Sequence, residues 1–174
     1  MLQTLRLRAL SPDQIGEAIA IDDDACALYP SAGIHFDITP DHPFARAEYA
    51  RWTRAARDGL AFVAAREDGA ALALLVLGRV HGEPYLEQLS VRMSAMRQGI
   101  GRWLLRHAIQ WARNAPLWLT TYAHVPWNRP FYEHEGFEVM PVDGCPGEIA
   151  AILDEQRRWL PAPEQRVAMR RYPR

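Results

Sequence analysis

Residues 96–101 read Met96-Arg97-Gln98-Gly99-Ile100-Gly101, between a run with the period of a strand and a run with the period of a helix. A Gly-x-Gly turn that opens a helix leaves several backbone N–H groups aimed at whatever lies in front of it. Such a turn is an anion site, and the natural anion is a phosphate. Glycine lets the backbone turn sharply and approach a ligand closely. A glycine pair alone is a weak signal, so its flanks decide its meaning. Upstream, Tyr85-Leu86-Glu87-Gln88-Leu89-Ser90-Val91 alternates with period two, which predicts a strand. Simple alternation puts Glu87, Leu89 and Val91 on one face and Leu86, Gln88 and Ser90 on the other. Downstream, Ile100, Trp103, Leu104, Ala108 and Trp111 recur at helical spacing. Arg102, Arg106, Gln110 and Arg113 form the opposite, wet face. The order is strand, phosphate-type turn, helix. A further strand follows at Pro116–Tyr122, then a short helix from about Pro126 that closes at Gly136.

Two motifs resemble the GNAT superfamily of acyl-CoA-dependent N-acetyltransferases. Leu89-Ser90-Val91 followed by Arg97-Gln98-Gly99-Ile100-Gly101-Arg102 looks like that family's pyrophosphate loop. Val125-Pro126-Trp127-Asn128-Arg129-Pro130-Phe131-Tyr132-Glu133-His134-Glu135-Gly136-Phe137 is similar to its late motif, with Phe-Tyr before Gly-Phe. With the flanking strands the likeness covers about residues 60–140. The chain departs from the pattern at Met96, where the family usually has Arg or Gln, and at Val125 and Asn128, where it usually has Asn-x-x-Ala. The resemblance implies a mixed, mostly antiparallel, twisted sheet of about seven strands flanked by helices. It also implies acetyl-CoA as co-substrate, held by Leu89, Val91, Arg97, Gln98, Gly99, Ile100, Gly101, Arg102 and Asn128. The strand of Leu89-Ser90-Val91 and that of Thr120-Thr121-Tyr122 would splay apart, and the pantetheine arm would pair with the free edge of the former. Periodicity alone predicts only an α/β class with several hairpins.

Composition agrees with one enzyme-sized domain over 1–174. The chain has 174 residues, 49% hydrophobic and 24% charged, which suits a sizeable core rather than disorder. Its formal net charge of −1 gives no basic excess for nucleic acid or a membrane surface. The longest apolar run, from Ala70 to Gly78, is too short to span a bilayer. Met1 to Arg8 alternates like a strand and does not read as a signal peptide. Cys26 and Cys145 form no disulfide framework, so a reduced, cytoplasmic protein is expected. The partners expected are a small-molecule amine, with neither nucleic acid nor membrane, and self-association into a homodimer is left open.

The expected elements are strand 2–10, helix 12–27, loop 28–42, helix 43–58, strand 60–67, strand 70–80, strand 84–93, helix 99–114, strand 116–123, helix 127–135, strand 137–140, helix 147–158 and strand 165–172. Ser11-Pro12-Asp13-Gln14 is a capping box with proline at the first helical position. Asp68-Gly69 marks a hairpin. The irregular stretch from Tyr29 to Pro43 is a long loop, either a roof over a pocket or a connector.

Acetyl transfer to an amine needs an unprotonated nitrogen and a proton for the leaving thiolate. An alkyl ammonium has a pKa near ~10 and must first lose a proton, which a carboxylate can take directly or through water. Glu87 is the candidate. Tyr85-Leu86-Glu87 resembles the Tyr-Leu-Glu of diamine acetyltransferases in the family, where this glutamate is the general base. A solvated strand residue or an ion-pair partner is the alternative. Tyr132 matches the family tyrosine whose hydroxyl acts as general acid, and an aromatic anchor beside Phe131 and Phe137 is its alternative. Asn128 could bond the pantetheine arm or cap its helix. Trp118 and Trp127 are expected to pack. Asp22, Asp23 and Asp24 end the first helix, where the dipole disfavours negative charge; they read as a solvated acidic turn or as partners of a cationic amine. His124 is a polar group behind the site or has no role. The six histidines show no metal-ligand spacing, so no metal is expected. The function expected is transfer of acetyl from acetyl-CoA to a small amine, amino acid or amine-bearing drug. The alternatives are modification of a protein N-terminus or lysine, and a non-catalytic acyl-CoA-binding module.

Overall fold

The structure, a computed structural model, describes residues 5–173. The expected strand start at 2–4 lies outside the described residues. Seven strands, β1 (Arg6–Ala9), β2 (Ala61–Ala65), β3 (Ala71–Val80), β4 (Glu83–Val91), β5 (Leu117–Tyr122), β6 (Glu138–Met140) and β7 (Arg166–Arg171), form one sheet in the order β1-β2-β3-β4-β5-β7-β6. Every neighbouring pair is antiparallel except β4 with β5. The helices are α1 (Ile15–Cys26), α2 (Pro43–Arg57), α3 (Ile100–Ala112), α4 (Arg129–His134) and α5 (Gly147–Trp159). The fold is the mostly antiparallel sheet with flanking helices that the resemblance implied.

Local chemistry explains the element ends. The Ser11 box is present, with Ser11 N–H donating to Gln14 Oε1 at 3.0 Å; it opens a 3₁₀ turn, Pro12–Gln14, that runs into α1. Gly69 at φ +89° turns β2 into β3. The segment read as loop 28–42 contains one 3₁₀ turn, Tyr29–Ala32, ended by Gly33 in the left-handed region.

Helices cover both faces. Ile15, Ala18 and Ile21 of α1 and Trp52, Ala55 and Ala56 of α2 pack on Val63, Leu74 and Val76. Ile149 and Leu153 of α5 pack on Tyr85, Trp118 and Ala168 of the same face. Helix α3 fills the other face, against Leu75, Leu77, Leu86, Leu119 and Met169. Its buried stripe is Ile100, Leu104, Leu105, Ala108 and Ala112. Trp103 and Trp111, expected in that stripe, are only partly buried at its margin. Trp118 is buried, as expected of a packing residue.

One irregularity builds the site. The β3–β4 register runs Val76 opposite Gln88, then Leu77 opposite Leu86, so Glu87 is an extra residue with nothing opposite. This bulge corrects the simple alternation. Leu86 joins Leu89 and Val91 on the α3 face, while Glu87, Gln88 and Ser90 face α1 and α2. A bulge also bends its strand. Strand β4 meets β5 only at Tyr85 opposite Trp118. Beyond that bridge the two strands part, and Glu87 to Val91 keep a free backbone edge on the β5 side.

Candidate active site

The parted strands open a cleft of about 1140 Å³ that reaches from the N-terminus of α3 on one face of the sheet to α2 and β7 on the other. At the α3 end, Arg97 and Gly99 take positive φ, +62° and +82°. The first helix N–H with a backbone partner here is that of Trp103, on the Gly99 carbonyl at 3.0 Å. The N–H groups of Arg97 to Arg102 have no backbone partner among the described residues. They are free donors at a helix N-terminus, as a phosphate cradle requires. Nothing lies within 4 Å of a Cβ built on Gly99, so the space in front is open. Gly101 serves differently from the expectation of ligand approach. Its Cβ position faces Val91 Cγ2 at 3.5 Å and Phe131 at 3.7 Å, so it lets α3 sit against β4 and α4. Leu89, Val91, Arg97, Ile100 and Arg102 line the cleft. Gln98 does not; its side chain donates back to the Ser94 carbonyl at 3.2 Å. Arg102 is also paired with Glu135 at 2.9 Å.

Tyr132, on α4, lines the cleft. It stacks edge-on with Phe131 and Phe137, at 5.2 and 5.7 Å, so the aromatic-anchor reading holds as a fact of packing. Its hydroxyl has no hydrogen-bond partner among the described residues. Burial raises its pKa well above the ordinary phenol value, with Tyr29 adding and Arg166 opposing. It therefore stays a proton donor. Asn128 does not cap α4 with its side chain. Its Nδ2 donates to the Tyr29 hydroxyl at 3.1 Å, tying the 28–42 segment to the motif. Tyr29, Phe36 and Ile38 of that segment line the cleft as a roof. Trp127 packs edge-on to Tyr29 at 5.7 Å and also lines the cleft. His124 is exposed and outside the cleft lining.

The far end is acidic. Glu87 reaches Arg51 of α2 at 3.4 Å and faces the cleft, so it is both ion-pair partner and cleft residue. Burial raises its pKa more than Arg51 lowers it. It folds over Gly78, where an added Cβ would come within 3.2 Å of Glu87 Cγ and Oε1. Glu48, one turn before Arg51 and Trp52 on α2, lines the same region. Burial, then the charge of Asp22, pushes Glu48 up to about 7; Arg51 opposes the rise and Glu87 adds to it. The solvated-turn reading of Asp22 to Asp24 fails for two of the three. Asp22 accepts from Gln88 Nε2 at 2.7 Å and Ser90 Oγ at 2.5 Å, and Asp24 accepts from the Met93 N–H at 2.7 Å. Asp22 is pressed against β4, where strand side chains replace water, and Asp24 is held by the turn that follows β4. Only Asp23 stays exposed.

Beside the acids stands a second cluster that sequence reasoning missed. Arg166, first residue of β7, is buried at 8% exposure. Its Nη2 donates to Gln156 Oε1 at 2.8 Å and to Thr120 Oγ1 at 3.2 Å. Gln156 Nε2 also donates to Thr120 Oγ1, at 3.0 Å, and Tyr85 meets the same oxygen at 3.0 Å. Burial raises Tyr85 to about 12. Glu48 had a sequence signal. It falls on the stripe of Ala45, Trp52 and Ala55 at helical spacing, where a carboxylate is out of place. Arg166 had only the weaker signal of sharing strand parity with Ala168.

The model of the acetyltransferase (GNAT) family matches residues 21–137. N-acetylglutamate synthase from Neisseria gonorrhoeae, solved with coenzyme A and N-acetyl-glutamate, superposes at TM-score 0.68 and 14% identity over 100% of this chain. The match spans only 36% of the synthase chain. PaiA N-acetyltransferase from Thermoplasma acidophilum, solved with coenzyme A, gives 0.67 and 16% over 97% of this chain and 99% of that one. The ribosomal-protein-S18-alanine N-acetyltransferase from Escherichia coli gives 0.65 and 19% over 97% and 94%. At these identities the superpositions establish the fold, whereas the family model, spanning more than half of the chain, establishes descent: this protein belongs to the GNAT family of acetyltransferases.

Proposed function

We propose that this acetyltransferase moves an acetyl group from acetyl-CoA to the primary amine of a small molecule. The observation that carries the reading is one continuous cleft with three kinds of group along it. Free N–H donors stand at Gly99, an unpartnered phenol stands at Tyr132, and half-buried carboxyls stand at Glu87 and Glu48. The residues present fit coenzyme A. The α3 N-terminus offers Gln98 to Arg102 amides for the pyrophosphate, and the free edge of β4 along Leu89 and Val91 offers backbone pairing for pantetheine, with Asn128 beside it. Bound there, acetyl-CoA supplies an activated acyl group.

Starting from the ammonium, a C–N bond forms and a C–S bond breaks; nitrogen gives up two protons, one ending on sulfur and the other released to solvent by way of the carboxylate. Glu87, with Glu48 behind it, attracts the ammonium and takes its proton, directly or through water. A carboxyl raised toward neutrality is better matched to this task than an ordinary glutamate. Tyr132 holds a proton at its hydroxyl for the departing sulfur. The roof of Tyr29, Phe36 and Ile38 limits water and favours a small acceptor over a peptide. Solved relatives named for acting on an amino acid and on a ribosomal protein bracket the choice. An amine panel with acetyl-CoA, followed by free-thiol release, tests the reading. Turnover of small aliphatic amines or amino acids is expected. Turnover confined to peptide or protein amines would overturn the small-molecule assignment.

A further inference from the structure

Arg166 is buried among neutral partners. Among the described residues only its Nη2 finds hydrogen-bond partners, Thr120 and Gln156, and its Nε has none. The guanidinium stacks on the Tyr122 ring at 4.5 Å and lines the cleft. Among the described residues no carboxylate lies within ion-pair distance of it. Glu48 contributes a favourable field without contact. A buried cation held by neutral groups alone is unfavourable unless something brings it negative charge.

The hydrogens around Thr120 can be counted. Gln156 Oε1 accepts from Arg166, which fixes the Gln156 amide so that its Nε2 faces Thr120. Arg166 Nη2 and Gln156 Nε2 are donors only, so together they occupy both lone pairs of Thr120 Oγ1. The Thr120 hydrogen then goes to Tyr85 Oη, at 3.0 Å. The Tyr85 phenol hydrogen is left without an acceptor among the described residues, beside Arg166, in the cleft lining. The Tyr85 hydroxyl hydrogen and the Arg166 N–H groups other than those on Nη2 thus stand side by side with no acceptor among the described residues.

We infer that the acceptor carries a carboxylate next to its amine, and that Arg166 together with the Tyr85 hydroxyl is the site that binds it. The acceptor class is then the free α-amino acid. The inference rests on the acetyl-transfer reading above. Geometry supplies the adjacency. Tyr85 is two residues from Glu87 on the bulged strand, and both line the cleft with Arg166, so ammonium and carboxylate sites lie at one end. The rings of Tyr29, Phe36 and Tyr122 flank that end and suit an apolar side chain. A protein N-terminus has an amide where this site asks for a carboxylate.

The test uses free L-amino acids and their α-amides as paired acceptors with acetyl-CoA. An α-amide keeps the amine and side chain, and its amine loses a proton more easily, so discrimination against it isolates the carboxylate. At least one free acid should exceed its amide in kcat/KM by about 10²-fold, as for a buried donor left unpaired. Arg166→Gln should raise KM for that acid by about 10²-fold, with less effect on kcat, and leave the amide and CoA affinity unchanged. Arg166→Lys should recover part of the loss, and Tyr85→Phe should raise KM by about 10-fold. Equal turnover of acid and amide overturns the inference. So does an Arg166→Gln deficit shared by both, or one that appears as weakened CoA binding. If Arg166→Gln fails to fold, Arg166→Lys and Tyr85→Phe decide through the acid-to-amide ratio. If no amine is acetylated, the parent reading fails, and calorimetric titration of the acids into CoA-loaded protein still decides the site. Acid binding weakened in Tyr85→Phe and Arg166→Lys sustains it, and no acid binding in the wild type overturns it.

Discussion

Burial moves Tyr132 and Glu48 away from their ordinary ionisation in directions that suit opposite tasks. Tyr132 is held as a phenol far above neutral pH, and its hydroxyl, without a partner among the described residues, is a donor in the cleft lining. Tyr132→Phe should keep the fold and the CoA affinity and lower turnover by about 10²–10⁴-fold. Wild-type turnover in this variant would assign the proton to water or another residue. Glu48 and Glu87 compete for the role of base. A base works unprotonated, and Glu48 is protonated below about 7, so its contribution grows as pH rises through that value. Glu87→Gln should reduce kcat/KM for an aliphatic amine most at low pH and approach wild type near the amine's own pKa. An arylamine, already neutral, should be almost indifferent. Glu48→Gln should instead remove an inflection near 7. A deficit constant with pH in both variants would make both carboxyls structural. Stability gives an independent check. Because the folded pKa of Glu48 lies above its ordinary 4.5, its neutral form favours the fold below that value, and this is lost as pH rises through about 7. Glu48→Gln should therefore raise Tm at alkaline pH, by about 2–4 °C for each kcal/mol relieved, and leave it unchanged in acid. Glu87 and Tyr132 were legible in the sequence through motifs. Glu48 was readable as a carboxylate on an apolar stripe, and Arg166 hardly at all.

The turn before α3 and the bulge in β4 are the elements that make the site. Gly99 is required by its positive φ, whereas Gly101 only faces Val91 and Phe131 at ordinary contact distance. A left-handed conformation costs an L-residue about 1–2 kcal/mol, and a β-branched one more. Gly99→Val should leave the fold intact and weaken CoA binding at least about 10-fold, because the amides lose their shared direction. Gly101→Ala, whose Cβ meets only ordinary contacts, should bind nearly as wild type. Calorimetry with CoA separates the two, and unchanged affinity in Gly99→Val would sink the cradle. The turn itself was legible because a Gly-x-Gly between two periodic runs is a local pattern. The bulge was not. Tyr85 to Val91 alternates without a break, and only pairing with β3 shows that two residues stand opposite one.

At the scale of the molecule, the gap between β4 and β5 is the feature on which the reading depends. It exists because β5 is fully paired with β7 on its other side while the bulge bends β4 away. The backbone edge from Glu87 to Val91 then has no partner across the gap. In hydrogen exchange, those amides of this stretch not bonded to β3 should exchange fast in the free protein. They should gain protection on addition of CoA, together with Ile100 to Arg102 at the other end of the cleft. Protection confined to the turn would show that pantetheine does not pair with β4.

Periodicity, glycine placement and caps are local, so the sequence by itself determined the order of strands and helices and the turn before α3, while family resemblance pointed to Tyr132. Strand neighbours, the splay and the acceptor end are not local. Glu48 lies on α2, Glu87 on β4, Thr120 on β5, Gln156 on α5 and Arg166 on β7. Their convergence depends on which strand pairs with which, and on how far each is shifted. Their ionisation depends on the water that packing removes. Asp22 shows the difference in one residue. In the sequence it is an acidic helix end, and in the fold it is a buried acceptor for two side chains from β4. The physical reason is that α1 lies across the sheet, where strand donors take the place of solvent.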